Sequence, residues 1–478
     1  MTVPWTLTIP ASLFDQLHAH LFPGDHDEHG AVVAAGMVET PRGVRLLARH
    51  VVAAADGIDY VPGKRGYRML TASFVTEQIL RCADQGLVYL AVHCHGSGNA
   101  VGFSGDDLAS HERGYPALLD IAQGRPVGAL VFASEAVAGE IWLRDGRRVS
   151  LDSARVIGRP LRTLHPAPLP HPAAADETYD RQARLFGDRG QAILEAQKIG
   201  VIGAGGAGSL VVEYLARLGV GHLVIADQDR IELSNLPRVA GSTRWDARAW
   251  LTAPGRPAVI RSLGERLSAR KTRIAARLAR RANPACIVER VDGDLAADAV
   301  AQRFVDCDYL FLAADTMRAR LVFNALVHQY LIPGAQVGAK VTVDRATGAI
   351  EDVFCVYRPM LPDVGCLWCN GLISPAKLQE EAVSEKERRQ QRYLEEAAVQ
   401  APSVITLNAV ASAHAVDDYL FTVTGLLNPG TSNAYRRFLP LQADFVLDQP
   451  RKDADCPECG SGPRGRLGLG SARRLPTR

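Results

Sequence analysis

Nine cysteines are spread through the 478 residues, and four of them form two pairs, Cys366-Leu-Trp-Cys369 and Cys456-Pro-Glu-Cys459. One turn of chain at that spacing presents two thiolates to a single ion. Two such turns supply the four sulfur ligands of a closed tetrahedral zinc site. In a reducing compartment, paired CxxC reads as metal and not as disulfide. A closed site keeps no open position for catalysis, so its expected role is structural. A second group, His93-Cys-His95, ends the apolar run Val88-Tyr-Leu-Ala-Val92. Period two along a strand puts both imidazoles on one face and Cys94 on the other. Ser104-Gly-Asp-Asp107 follows, and Glu28 precedes the apolar run AVVAAGMV in a crowd of Asp25, His26, Asp27 and His29.

The third group is glycine-rich. Gly203-Ala-Gly205-Gly206-Ala-Gly208 follows the apolar stretch KIGVI and opens GSLVVEYLARLG, so its backbone N–H groups and a helix dipole can face a phosphate. On this loop alone a nicotinamide-dinucleotide site and a tight structural turn both stay open. Asp227, after HLVIA, is placed to bind a ribose in either nucleotide reading.

These groups need elements to hold them, and the chain is long enough for two to four folding units. To about Val156, short apolar runs alternate with helix-like stretches, an α+β pattern over residues 1–156. Residues 157–177, with GRPLRTLHPAPLPHPAAADE, are rich in Pro and Ala, have nothing periodic to bury, and read as a linker. From about Thr178 the order strand, helix, strand, helix favours a parallel, doubly wound sheet over residues 178–460. Ser374 and Pro375 suit the start of a charged helical stretch running to Gln400. Residues 461–478, rich in Gly and Arg, read as a disordered basic tail. No internal repeat is present.

With 54 basic and 52 acidic side chains the net charge is +2, so no global field draws the chain to nucleic acid or a membrane surface, and neither is an expected partner. Any charge-driven partner must be local. The N-terminus, MTVPWTLTIPASLFDQL, lacks a basic segment followed by a long apolar run, and nothing reaches the roughly 18 apolar residues of a membrane span. A cytoplasmic location is expected.

The segment Asp227-Gln-Asp229-Arg-Ile-Glu-Leu-Ser234-Asn235-Leu-Pro-Arg238 resembles the DxDxxxxSNLxR motif of the ThiF/HesA/MoeB superfamily, which includes the ubiquitin-activating enzymes. Upstream, Tyr179-Asp-Arg181-Gln182 with Gly190-Gln191 is similar to that superfamily's RYxRQ…GQ opening. Downstream, Lys271 precedes an amphipathic helix ending at Asn283-Pro284, and Asp315 with Arg320 and Asn324 falls where the superfamily has DNxxxR. The resemblance implies a Rossmann-like adenylation domain with a structural zinc, using ATP and Mg²⁺. Gly203, Gly205, Gly206, Gly208, Asp227, Asp229, Ser234 and Asn235 would form the nucleotide site, with Gly206 letting the backbone approach the nucleotide. Asn235, Arg238 and Lys271 would hold phosphates, and Asp315 would organise the magnesium. Arg181 would reach the ATP of a partner subunit, which implies a homodimer. One departure is the stretch Val239–Arg270, with Trp245 and Trp250, which is longer than the superfamily usually allows and reads as a lid or a docking surface.

Glu28, His93, His95, Ser104 and Asp107 together resemble the JAB/JAMM (MPN+) metalloproteases. That resemblance implies His93, His95 and Asp107 as ligands of a catalytic zinc, Glu28 as general acid/base and Ser104 as oxyanion stabiliser, in an α+β JAB/MPN-like domain. Asp106 stays a rival to Asp107, and Cys94 and Gly96 depart from the family pattern. The two resemblances imply an enzyme that adenylates the C-terminal glycine of a ubiquitin-like protein and carries a peptidase or isopeptidase for the same tail, working with a conjugating-enzyme-like partner. A sulfur-carrier activating enzyme with a carrier-processing protease is the alternative, and a non-catalytic scaffold a further one. Thioester-forming relatives place a cysteine between the two CxxC pairs. From Asn370 to Asp455 there is none, only Ser403 and Thr406 in the matching segment. Hydroxyls are poor nucleophiles without an activating base, so release as an adenylate is expected.

Overall fold

The computed structural model describes residues 3–63, 68–344, 347–382 and 402–478, which gather into two compact units. The first comprises Met1–His171 with His328–Leu331 and Ala454–Arg474; the second comprises Pro172–Val327, Ile332–Asp453 and Leu475–Arg478.

The first unit is built on β1 (Trp5–Pro10), β2 (Gly30–Thr40), β3 (Gly43–Ala53), β4 (Val88–Cys94), β5 (Val127–Phe132), β6 (Val137–Trp142), β7 (Arg148–Ile157) and β8 (Arg162–Leu164). Their order is β1-β3-β2-β4-β5-β6-β7-β8, and β1 pairs with β7 as well. Side chains alternate across the sheet, so neighbours in sequence enter different cores. Val33 and Leu90 join Leu7, Leu46 and Leu130 on one face, where the helix Ala11–Leu21 adds Phe14 and Leu17. Val32 and Tyr89 join Val127 and Ala129 on the other, covered by Phe74 and Ile79 of the helix Ala72–Gln85 and Tyr115 of the helix Gly105–Ile121. Burial on both faces explains why β2 and β4 read as near-continuous apolar runs.

The second unit holds β9 (Lys198–Ile202), β10 (His222–Ala226), β11 (Ile287–Val291), β12 (Tyr309–Leu312), β13 (Gly334–Val343), β14 (Ile350–Met360), β15 (Tyr435–Leu439) and β16 (Asp444–Asp448), in the order β11-β10-β9-β12-β13-β14-β15-β16. The first five are parallel, as the strand–helix alternation predicts. The last three are antiparallel, a feature the doubly wound expectation did not include. The short intervals from β13 to β14 and from β15 to β16 leave no length for a crossover, so these strands must reverse direction. Strand order reverses between β9 and β12, which opens a crevice at their carboxyl ends, the usual ligand position in such sheets. Among the described residues no helix is long and apolar enough to cross a membrane.

Three boundaries differ from the sequence reading. Residues 157–177 are not linker throughout, because β8 lies inside that stretch and pairs with β7, and the first unit runs to His171. Ala454–Arg474 counts with the first unit, which moves the boundary expected at Gly460. Residues 461–478 are not a disordered tail: Arg466, Leu467 and Leu475 are buried. Composition misleads here because the segment is held through its backbone. Arg49, itself buried, donates to the carbonyls of Leu467, Gly462 (2.7 Å) and Gly465 (3.3 Å). A Cβ at Gly36 would collide with the Gly468 carbonyl, so only glycine lets the segment lie against β2. Of the charged helix expected from Ser374, Pro375–Ala382 forms, with the Ser374 hydroxyl accepting from the Lys377 amide (3.4 Å), and residues 383–400 lie outside the described residues.

Burial brings the Arg49 guanidinium down to about 10, and Arg473 nearby pushes the same way, so its carbonyl partners offset a real desolvation cost. Arg49→Met keeps the stem but leaves buried carbonyls unpaired. It should cost about 3 kcal/mol in denaturant unfolding and make the segment after Gly462 an early site of limited trypsin cleavage. Unchanged stability together with unchanged cleavage would refute the assigned role.

Candidate functional site

In the second unit the glycine loop leaves β9 at Gly203, whose φ of 93° favours glycine. A Cβ at Gly208 would overlap the Gly203 carbonyl, so these two glycines allow the turn to close on itself. At Gly205 a Cβ would meet nothing within 4 Å, so the loop is open there. Gly206 faces the helix Ile405–Val423 as well as the loop. A Cβ there would strike Asn408 Nδ2, so its bareness makes room for a protein side chain.

Asp227, at the end of β10, locks this loop to the next. Its Oδ2 accepts from the Ala204 amide (2.7 Å) and its Oδ1 from the Asp229 amide (2.8 Å). Burial raises its carboxyl above the ordinary range, against the pull of Lys271 and these amides. Lys271 is the first residue of the helix Lys271–Ala282; its Nζ donates to Asp229 Oδ2 (2.8 Å) and its amide to the Asp229 carbonyl (3.1 Å). The long stretch before it therefore does not carry Lys271 away from the loop. Ser234 and the buried Asn235 sit in the short 3₁₀ turn Leu233–Asn235, and Arg238 Nη1 donates to the Ser234 carbonyl (2.8 Å). The Arg238 Cδ lies 3.5 Å from where a Gly206 Cβ would stand. Asp315 is exposed just past β12, two residues beyond Ala313, which abuts both Gly203 and Gly208.

The structure thus brings together the glycine loop, Asp227, Asp229, Lys271 and Arg238, with Asp315 on the same edge. Arg181 stands exposed in the first turn of the helix Asp180–Ala196, and among the described residues it has no hydrogen bond to this group. Its neighbours Gln182 and Gln191 bond each other (2.8 Å), and Tyr179 and Gln191 pack where a side chain at Gly219 would go. Asn324 and Arg320 turn to the loop of the first cysteine pair, receiving the Leu367 amide (3.0 Å) and donating to the Leu372 carbonyl (2.8 Å). Sequence reasoning missed the helix Ile405–Val423 as a wall of the crevice. Asn408 meets Gly206, and Ser412 Oγ donates to the Ala207 carbonyl (3.0 Å). The signal was two polar residues four apart on an otherwise apolar helical face.

In the first unit, His93 on β4 and His95 just beyond it face each other with Nε2 atoms 3.2 Å apart. Asp107 Oδ1 is 3.5 Å from His93 Nε2, and its Oδ2 is 3.3 Å from His95 Nε2. The three ligand atoms fall within 4.8 Å of one another, and Asp107, not Asp106, completes the group. His95 Nδ1 contacts the Gly102 carbonyl (3.1 Å), which can only accept, so Nδ1 carries the proton and Nε2 presents a lone pair to the group. This tautomer is the one a metal needs. Cys94 points the other way, buried, its thiol donating to the Leu21 carbonyl (3.1 Å). Gly96 follows at φ 48°, a conformation closed to the proline common there in the JAB/JAMM pattern.

Ser104 caps the helix Gly105–Ile121. Its amide (2.8 Å) and hydroxyl (2.7 Å) both donate to Asp107 Oδ2, and its Oγ accepts from the Asp107 amide (3.1 Å). In this arrangement the Ser104 hydroxyl donates to Asp107 and holds its carboxylate in place. Burial raises the Asp107 carboxyl, but hydrogen bonds from His93 and Ser104 outweigh it and hold the group well below the carboxylate range. Glu28 Oε1 is 3.8 Å from His95 Nε2; burial pushes its carboxyl up while His95 and His93 oppose. The neighbouring His29 Nε2 bonds Asp25 Oδ1 (2.9 Å), closing the short loop that carries Glu28.

The sulfurs of Cys366, Cys369, Cys456 and Cys459 lie within 4.8 Å of one another. Amides of Cys369 and Glu458 each donate to a sulfur, Cys366 and Cys456 (both 3.4 Å). Amide donors favour thiolate, so the donor set fits zinc.

The chain is 31% identical over 210 residues to the sulfur carrier protein ThiS adenylyltransferase of Bacillus subtilis, covering 42% of this chain and 56% of that protein. It is 29% identical over 177 residues to the SAMP-activating enzyme E1 of Haloferax volcanii, covering 37% and 58%. It thus spans little more than half the length of these two curated relatives. Among solved structures, Escherichia coli MccB with ATP aligns at a TM-score of 0.44 and 16% identity, covering 59% of this chain and 75% of that one. The family model described as ThiF family matches residues 179–460, more than half of the sequence, and the chain belongs to the ThiF family.

Proposed function

We propose that the second unit uses ATP to adenylate the C-terminal glycine carboxylate of a ubiquitin-like or sulfur-carrier protein. The observation that carries this reading is the convergence of the glycine loop, Asp227, Lys271, Arg238 and Asp315 at the carboxyl ends of β9, β10 and β12. The attacking carboxylate is already ionised at neutral pH, so no base is required. One of its oxygens attacks the α-phosphorus; the new O–P bond forms as the bond to the bridging oxygen breaks, and pyrophosphate leaves. Such a step needs positioning and charge neutralisation more than a protein nucleophile. Loop amides around Gly205 cradle phosphate, and Asp227 offers its remaining lone pairs to ribose hydroxyls. Lys271 exchanges Asp229 for phosphate, with Arg238 and Asn235 beside it. Asp315 holds Mg²⁺, which neutralises phosphate charge when bound. Arg181, exposed and free of the crevice, acts on the nucleotide of a second copy in a homodimer.

For the first unit the proposal is a zinc peptidase or isopeptidase that trims or removes the same carrier tail. Zinc at His93, His95 and Asp107 supplies Lewis-acid polarisation of an amide carbonyl. Glu28 holds or passes the proton, and Ser104 fixes Asp107. The four-cysteine group holds a second, structural zinc. The name of the Bacillus relative favours transfer of the adenylate to a sulfur donor as a second reading; transfer through a conjugating-enzyme-like partner is the first.

Carrier-dependent exchange of labelled pyrophosphate into ATP tests the adenylation. Lys271→Ala should lower it by about a hundredfold or more, as loss of one charge-stabilising donor does. No exchange by the folded protein with any glycine-ended carrier would defeat the reading. Because no cysteine lies between the two pairs, the carrier should form no dithiothreitol-sensitive adduct with this chain. Metal analysis should find about two zinc ions per chain. His95→Ala should remove one and abolish cleavage of a carrier fusion without changing exchange, whereas Cys456→Ser should remove the other and lower the melting temperature. Full zinc content in His95→Ala would count against the first site.

A further inference from the structure

The stretch from Ala240 to Arg270 is firmly anchored yet carries an unsatisfied apolar face. Its inner side packs Ala247, together with the adjoining Val239, against Ile231 and Ile274. Arg277 grips the buried Asp246 through two hydrogen bonds (2.9 and 2.7 Å). Arg270 and Arg230 tie it to the loop after Asp227 through the carbonyls of Gln228 (2.6 Å) and Ser268 (2.5 Å). The outer side is another matter. Trp245 is 70% exposed and Trp250 41%, their rings 4.5 Å apart, and the helix Ala258–Leu267 exposes Val259 (82%), Ile260, Leu263 and Leu267 while burying only Gly264. At 3.6 residues per turn those four aliphatic residues fall in an arc of about 100°. Arg248 joins the two halves, its guanidinium over the Trp250 ring (5.5 Å) and its Nε donating to the Leu267 carbonyl (3.1 Å).

Charge selects among the surfaces that could cover this face. The 31 residues carry six arginines and two acids, and one acid, Asp246, is taken by Arg277. Arg244, Arg256, Arg261 and Arg266 are exposed, and Glu265 lies on the side of the helix away from the apolar arc. Two copies meeting here would set arginine against arginine, which opposes self-association. A partner helix would find under three turns to pair with, too few for a register of interlocking layers. An anionic lipid surface needs no register, accepts tryptophan and branched aliphatics at the headgroup level, and attracts the arginines. We infer that the face formed by Trp245, Trp250 and the helix Ala258–Leu267 is a peripheral docking site for anionic lipid. The inference is independent of the adenylation reading, because it concerns a face outside the crevice.

The test uses the full chain and vesicles of phosphatidylcholine alone or with about 30 mol% phosphatidylglycerol, at about 50 mM and about 0.5 M salt. The protein should float with the anionic vesicles at low salt, at least about tenfold less with neutral vesicles or at high salt, and its tryptophan emission should shift to the blue on binding. Val259→Asp with Leu263→Asp should abolish flotation at unchanged melting temperature, while Leu441→Asp, an exposed apolar residue elsewhere, should float as the parent does. Failure of the parent chain to float at low salt would overturn the inference. So would flotation indifferent to the paired substitution, or a dimer that the paired substitution dissociates while vesicles bind neither form.

Discussion

The Asp227 carboxylate is the point on which the crevice of the second unit depends. One oxygen takes the amide that follows Gly203 and the other takes the amide of Asp229, so two loops leaving neighbouring strands are tied by a single side chain. Burial makes that charge costly, and its cost is offset by the two amides and by Lys271. Lys271 is brought close because Asp229 receives both its side chain and its backbone. Position and charge are therefore coupled: the residue that closes the loops also holds the cation nearby. A parallel sheet whose order reverses at β9 and β12 is what lets all these groups issue from one edge.

The first unit solves a similar problem with a helix start. His93 and His95 are placed by the pleat of β4, which any strand would provide, but the carboxylate that faces them must arrive from elsewhere. Asp107 does so as the third residue of a capped helix, where Ser104 satisfies its backbone amide and fixes its carboxylate in return. The capping box that starts the helix also aims the Asp107 carboxylate, so local folding and site geometry share the same hydrogen bonds. His95 receives its tautomer from the Gly102 carbonyl three residues before that helix.

What could be read from the sequence was whatever depends on spacing along the chain. The alternation of His93 and His95, the two CxxC turns, the ordered series from Asp227 to Arg238 and the parallel strands all belong to that kind. What could not be read depends on backbone meeting backbone or on a side chain arriving from far away. The spacing around Gly206 matches a nucleotide loop, but its place against Asn408 is a long-range packing fact that spacing does not carry. The Gly- and Arg-rich segment after Gly460 looked unable to order because it has few apolar side chains, yet its carbonyls are the partners of Arg49.

Exposure separates the roles of the three side-chain clusters more sharply than their chemistry does. Three of the four cysteines are buried, and the sulfurs of Cys366 and Cys456 receive backbone amides, so an ion held there would be shielded from substrate. The histidine–aspartate group stays about a fifth exposed at both imidazoles, with a carboxyl raised by burial at Glu28 beside it, an openness that the proposed peptidase role requires. The crevice lies between these extremes, since Asp227 is half-buried while Asp229 and Asp315 remain open to water. A half-buried anchor with open neighbours suits the proposed adenylyl transfer, which takes in a nucleotide and releases a product bearing part of it.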